Sequence, residues 1–158
     1  MKLHHLRAAA ARCTISLFGV LLLQAPATAH LGGDTDSVSA DRDAMHAQLH
    51  STATQHYSLH EITTAAGTLV HEYTTTQGTV FALTWQGALP PDLAQLFGSY
   101  YKQYQDAARA QSRPGMHRQL NFANPDFVVE STGRLRNFRG KAYVPSLVPA
   151  GVSVADLQ

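Results

Sequence analysis

Residues 68–85 read TLVHEYTT-TQG-TVFALTW, and this stretch decides the fold. Two runs rich in β-branched and aromatic residues flank a Gln77-Gly78 turn signal, the pattern of a β-hairpin. In the second run Thr79, Phe81, Leu83 and Trp85 fall on one side, and Val80, Ala82 and Thr84 on the other. The larger side chains predict the core-facing side. Upstream, Tyr57–Ile62 also alternates, with Tyr57, Leu59 and Glu61 sharing a side, and residues 63–67 form a turn ending in glycine. Short connections predict an antiparallel meander.

A meander needs something to cover it, and the next segment supplies an amphipathic helix. Pro91 and Asp92 suit its first turn. Leu93, Leu96, Phe97, Tyr100, Tyr101, Tyr104, Ala107 and Ala108 then recur at three- and four-residue spacing. Gly98 interrupts this stripe and permits close backbone approach. Arg113-Pro114-Gly115 closes the segment. A shorter helix is expected from Ala40 to about His50, capped by Ser39, with Asp41 and Asp43 near its positive end. Residues 30–38, HLGGDTDSV, read as a flexible lead.

The C-terminal part is less regular. Phe127–Glu130 and Arg134–Phe138 are strand candidates separated by a Thr132-Gly133 turn, and Ala142–Val144 predicts a short edge strand before Pro145. Pro145 and Pro149 favour an irregular end. The expected class is α+β: an antiparallel meander packed against one long amphipathic helix and a shorter N-terminal helix, in one domain over residues 39–158.

Residues 1–29 carry a secretion signal. Lys2, Arg7 and Arg12 precede the apolar run Cys13–Leu23, and Ala27-Thr28-Ala29 is a small-x-small cleavage site. The run is too short for a membrane span, which needs about 20 apolar residues. The expected location is therefore the periplasm or the exterior, with no transmembrane anchor after cleavage. Cleavage removes Cys13, the only cysteine, so disulfide and thiol chemistry are excluded from residues 30–158. The remaining charge is nearly balanced but uneven. Residues 102–141 hold eight basic and three acidic side chains. A basic half suggests an anionic partner. Export argues against nucleic acid and in favour of an envelope polymer or a protein partner.

Histidine is the one enrichment that suggests chemistry. His46, His50, His56, His60 and His71 lie within a short stretch. His46 and His50 are helically spaced, but no glutamate follows His46, so the H-E-x-x-H zinc pattern is absent. If the hairpin turns tightly at Ala65-Ala66, His60 and His71 fall opposite each other and share a face. A register shift of one residue would separate them. No nucleophile elbow, dinucleotide fingerprint, phosphate loop or haem signature is present. No catalytic residue, metal ligand set or cofactor is assigned. The candidate surface or site residues are His60, His71, Glu72, Asp92, Tyr101 and Tyr104, the two tyrosines because their rings carry hydroxyls able to stay wet.

Three stretches together resemble a known family: Gly67–Gly87, Pro91–Tyr101 (PDLAQLFGSYY) and Phe138–Pro149 (FRGKAYVPSLVP). They are similar to an exported proteobacterial family designated domain of unknown function 2844. Its pattern runs roughly G-x-V-x-E-Y, G-x-V-F-x-x-x-W-x-G, then P-D-L-x-x-L-L-G-x-Y. Glu72, Tyr73, Gly78, Val80, Phe81, Trp85, Gly87, Pro91, Asp92, Leu93, Leu96, Gly98 and Tyr100 match it. Leu69 replaces a valine and Phe97 a leucine. The resemblance implies export and one domain, and no activity. His46, His50 and His56 lie outside its pattern. Three functional classes stay open: a non-catalytic accessory protein binding an envelope component or partner, a small periplasmic enzyme using Glu72, His71 or Asp92, and a structural envelope or matrix component.

Overall fold

The computed structural model describes residues 30–111 and 118–158. The expected signal at residues 1–29 and the Arg113-Pro114-Gly115 stop lie outside them. The domain is built on one antiparallel sheet of seven strands, a helical segment of 19 residues and a shorter helix, an α+β architecture. The strands are β1 (Gln48–Ala53), β2 (Tyr57–Thr63), β3 (Leu69–Thr75), β4 (Val80–Gly87), β5 (Arg118–Ala123), β6 (Val128–Arg134) and β7 (Asn137–Tyr143). Their spatial order is β1-β2-β3-β4-β7-β6-β5, so two meanders join where β7 returns to pair with β4.

Turn chemistry fixes the first meander. Gly67 and Gly78 take positive φ after β2 and β3. The Thr64 and Thr75 side chains accept backbone N–H bonds inside the same turns. The second meander corrects three expectations. Thr132-Gly133 lies inside β6, and the chain turns at Leu135-Arg136, where Arg136 has φ 59°. Ala142-Tyr143 ends β7, an interior strand rather than an edge. An additional strand, β5, forms the outer edge.

The N-terminal segment is also built differently. Helix α1 spans Thr35–Ala44, and Asp34 caps it by accepting the Ser37 N–H. Ser39 lies within the helix. Residues 30–38 are thus part of the fold: Leu31 and Val38 are buried in the core, and Gly32 N–H bonds the Val80 carbonyl. The helix stops before His46, which takes a left-handed φ of 49°, and His50 sits in β1. Their expected helical spacing is therefore lost.

The long helix is two helices, α2 (Leu93–Phe97) and α3 (Tyr101–Gln111), joined by a 3-10 turn at Gly98–Tyr100. Gly98 has φ 50° and ψ −119°, and a side chain there would overlap His30. This close approach explains the glycine inside an otherwise helical stripe.

Burial defines two faces of the sheet. On one, Ile62, Val70, Val80, Leu83, Trp85, Val129 and Ala142 cluster with Leu96, Phe97 and Ala107 of the helices. Phe97 sits edge-on to Trp85, Tyr104 and Phe127, the geometry aromatic rings prefer. On the other face Tyr73, Phe81 and Ala82 pack with Tyr57, Leu59, Tyr143 and the C-terminal residues Val148, Val152, Val154 and Leu157. Phe81 is thus opposite to its expected side. The ladder between β3 and β4 slips at Tyr73/Thr74, so Val80 pairs with Thr74 and Ala82 with Tyr73. The extra residue, Phe81, breaks the alternation as a β-bulge does. Strand β4 consequently buries both faces along most of its length.

Candidate functional site

The candidate residues separate along the sheet. In the ladder, His60 pairs with Glu72 and Glu61 with His71. The register is thus one residue away from the expected His60–His71 pairing. His60 and Glu72 point to the helical face, and His71 and Glu61 to the other. The shift of one residue exchanges partners completely because side chains alternate.

His60 is 6% exposed. Its Nδ1 lies 2.8 Å from the Ser51 hydroxyl and its Nε2 3.0 Å from the Thr74 hydroxyl. It ties β1 to β3 across β2, and burial lowers its pKa, which favours the neutral ring. Asp92 is the cap of α2, accepting the Ala94 and Gln95 N–H groups. Tyr101 and Tyr104 stack at 5.9 Å with planes 21° apart, half-buried against the core. Burial raises the Tyr104 pKa, with its hydroxyl directed to Ser131.

Glu72 sits in the core, 1% exposed, and Asp41 of α1 beside it is also 1% exposed. Gln95 of α2 donates its side-chain N–H to Asp41. Neither Glu72 oxygen has a donor while both acids are ionised. A proton on Glu72 supplies one, giving an O–H···O bond to the Asp41 carboxylate. Burial raises the Asp41 pKa to about 6, opposed mainly by its bonds to Glu72 and Gln95. Burial, then the adjacent Asp41, pushes Glu72 well above the ordinary carboxyl range. A perturbed carboxyl pair is a common catalytic signature. This one joins α1, α2 and β3 with negligible solvent access, so its visible role is structural.

On the opposite face His71 meets Glu61 at 3.5 Å and also contacts the Gln158 carbonyl. The Tyr73 hydroxyl donates to the same carbonyl at 2.6 Å. His71 and Glu72 are adjacent in sequence and separated by the sheet in space, so these two side chains do not share one site. Among the described residues no group of three His, Cys, Asp or Glu side chains is placed to hold a metal ion.

The larger feature of that face is an open groove of about 760 Å³ across β3, β4, β7, β6 and β5. Its lining includes Gln86, Gln119, Asn121, Glu130, Arg139 and Lys141. Their positions follow from register: Gln86 faces Arg139, Arg139 faces Thr132, Thr132 faces Gln119, and Lys141 faces Glu130. All lie on the face opposite the helices. The C-terminal segment covers the apolar part of this face and borders the polar part through Leu157 and Gln158. Lys141 donates to the Val154 carbonyl at 2.9 Å, holding that segment at the groove margin. The groove is not legible in the sequence, because the residues of β5, β6 and β7 meet only once the strand order is known. The signal present was the polar alternation of Arg139 and Lys141.

Among the described residues no helix is long and apolar enough to cross a membrane. No curated protein and no solved structure matches the chain. A family match does extend over residues 27–157, covering every strand and helix above, and the chain belongs to the family described as protein of unknown function (DUF2844).

Proposed function

We propose that this is an exported, non-catalytic accessory protein that binds a polar, partly anionic envelope polymer across the open sheet face. The groove carries this reading. It offers side-chain amides from Gln86, Gln119 and Asn121, hydroxyls from Thr84 and Thr132, and the cations Arg139 and Lys141. Such donors suit a chain of hydroxyls and acidic groups. The groove is open rather than enclosed, which favours an extended ligand. Export is supported by the charged start, apolar run and small-residue site of residues 1–29, and the family match begins beside that site.

Co-sedimentation with purified envelope polysaccharide tests the reading. Binding should weaken as salt rises, because Arg139 is solvent-exposed. Arg139→Ala should reduce it several-fold, leaving the unfolding midpoint nearly unchanged. No co-sedimentation at low salt would refute the polymer. Capture of a protein at unchanged strength by Arg139→Ala would move the binding surface elsewhere.

A further inference from the structure

The two edges of the sheet are finished differently. At the β5 edge, Asn124 N–H bonds the Phe127 carbonyl, closing the β5–β6 hairpin. Alternation from that pair directs the backbone groups of Gln119, Asn121 and Ala123 outward. The Gln111 side chain of α3 meets them at Asn121. Its amide N–H donates to the Asn121 carbonyl at 2.8 Å, and its amide oxygen accepts the Asn121 N–H at 3.4 Å. A primary amide here takes the place of a neighbouring strand's peptide group.

No such plug stands at β1. Thr54 N–H bonds the Tyr57 carbonyl, which closes the β1–β2 hairpin. The same alternation directs the N–H and C=O groups of Leu49, Ser51 and Ala53 away from β2. No described residue bonds these outward groups. Five of the six β1 residues are exposed, and QLHSTA contains no Asp, Glu, Lys, Arg or Pro. The usual guards of an edge strand, charges and proline, are absent.

We infer that β1 is the pairing edge for a second copy of this chain, joining two sheets antiparallel about a two-fold axis at Ser51. In that register Ser51 faces Ser51 of the other copy, and Leu49 faces Ala53 in both directions. Every outward group is then used, giving about six backbone hydrogen bonds from three fully bonded pairs. A register centred on His50 leaves Ala53 unused. The strand places no like charges opposite each other, so self-pairing carries no repulsion of the kind that destabilises cross-strand pairs. A foreign extended peptide would gain selectivity from side-chain pockets beside the edge. The groove lies toward the opposite edge of the sheet, which favours the self-complementary partner. One short strand pair buries less than the roughly 1,600 Å² of a standard stable interface, so the dimer is weak and concentration-dependent. Two-fold closure also leaves β5, with its Gln111 plug, at both outer ends.

Sedimentation of the protein purified from full-length expression, across about a hundredfold range of concentration, should show a monomer–dimer equilibrium. Ala53→Pro removes one outward N–H from each copy at a solvent-exposed edge position. It should weaken dimerisation at least about tenfold. With Cys13→Ser as background, Ser51→Cys should form an intermolecular disulfide on oxidation, because that residue would face itself across the axis. A monomer at every concentration overturns the inference. So does a dimer indifferent to Ala53→Pro, or failure of Ser51→Cys to cross-link under conditions where dimer is present. The cross-link decides the matter if Ala53→Pro perturbs folding.

Discussion

Replacing Glu72 by Gln should stabilise the protein at neutral pH and flatten its stability profile. The fold holds Glu72 and Asp41 together out of water, so it favours their protonated forms. Both groups have folded pKa values above their unfolded ones. An acid raised in this way leaves stability intact below its unfolded pKa and removes it as pH rises toward the folded pKa. For Asp41 the shift is from 3.8 to about 6. That corresponds to a loss of about 3 kcal/mol between roughly pH 4 and pH 6. Glu72 starts from 4.5 and is raised further by burial and by Asp41. Above pH 4.5 it removes about 1.4 kcal/mol for each pH unit until its own folded pKa is reached. Glu72→Gln deletes this second contribution and supplies an amide N–H to Asp41 in place of the Glu72 proton. Urea unfolding of both proteins from pH 4 to pH 8 measures the difference, in which other titrating groups cancel. The two stabilities should be similar near pH 4, within about 1 kcal/mol. The variant should gain steadily as pH rises. Parallel curves, or a variant that loses ground with increasing pH, would refute the raised pKa of Glu72 in this buried pair.

Gly98→Ala places a side chain at φ 50° and against His30, so it should destabilise by more than about 2 kcal/mol in denaturant unfolding. An effect under about 0.5 kcal/mol would mean that the α2–α3 junction relaxes freely. Asp92→Ala removes the α2 cap and should lower stability by about 1 kcal/mol while leaving polymer binding intact; a selective loss of binding with unchanged stability would restore Asp92 as a site residue. Gln111→Ala exposes the outward groups of Asn121 and should promote association beyond the dimer, visible as a rising scattering weight with concentration. Unchanged association would show that α3 protects β5 without its terminal amide.

Strands β2, β3 and β4 are readable because their information is local. Tyr57–Ile62 and the two runs within residues 68–85 alternate, and Gly67 and Gly78 mark turns that need positive φ. The same local reading failed where long-range contacts decide. Nothing in TVFALTW announces the slip that moves Phe81 across the sheet, because it arises from pairing with β3. Residues 48–53 lie close to an amphipathic stripe, yet ladder bonds to β2 hold them as a strand. The shift of His71 from His60 to Glu61 is one residue in register and a whole sheet in space. A tight turn at Ala65-Ala66 is not dictated by the sequence, whereas the Thr64–Thr68 bonds fix the register.

The residues that carry the family resemblance explain why it names a fold before an activity. Gly78 turns the β3–β4 hairpin, and Asp92 caps α2. Gly98 admits His30, and Trp85 packs over Gly140, where a side chain would overlap its ring. Gly87 leaves room for Thr68, and Glu72 shares its buried position with Asp41. Each has a mechanical reason that would hold whatever the protein binds. Gln86, Gln119, Asn121, Thr132 and Arg139 lie on the open face, with no packing role of this kind. Substitutions in the two groups should therefore separate cleanly. The first should move unfolding midpoints, with binding lost only as the folded fraction falls. The second should move binding at constant stability. A protein whose binding tracked the first group at full occupancy of the folded state would have its site on the helical face, and the groove would take no part in binding.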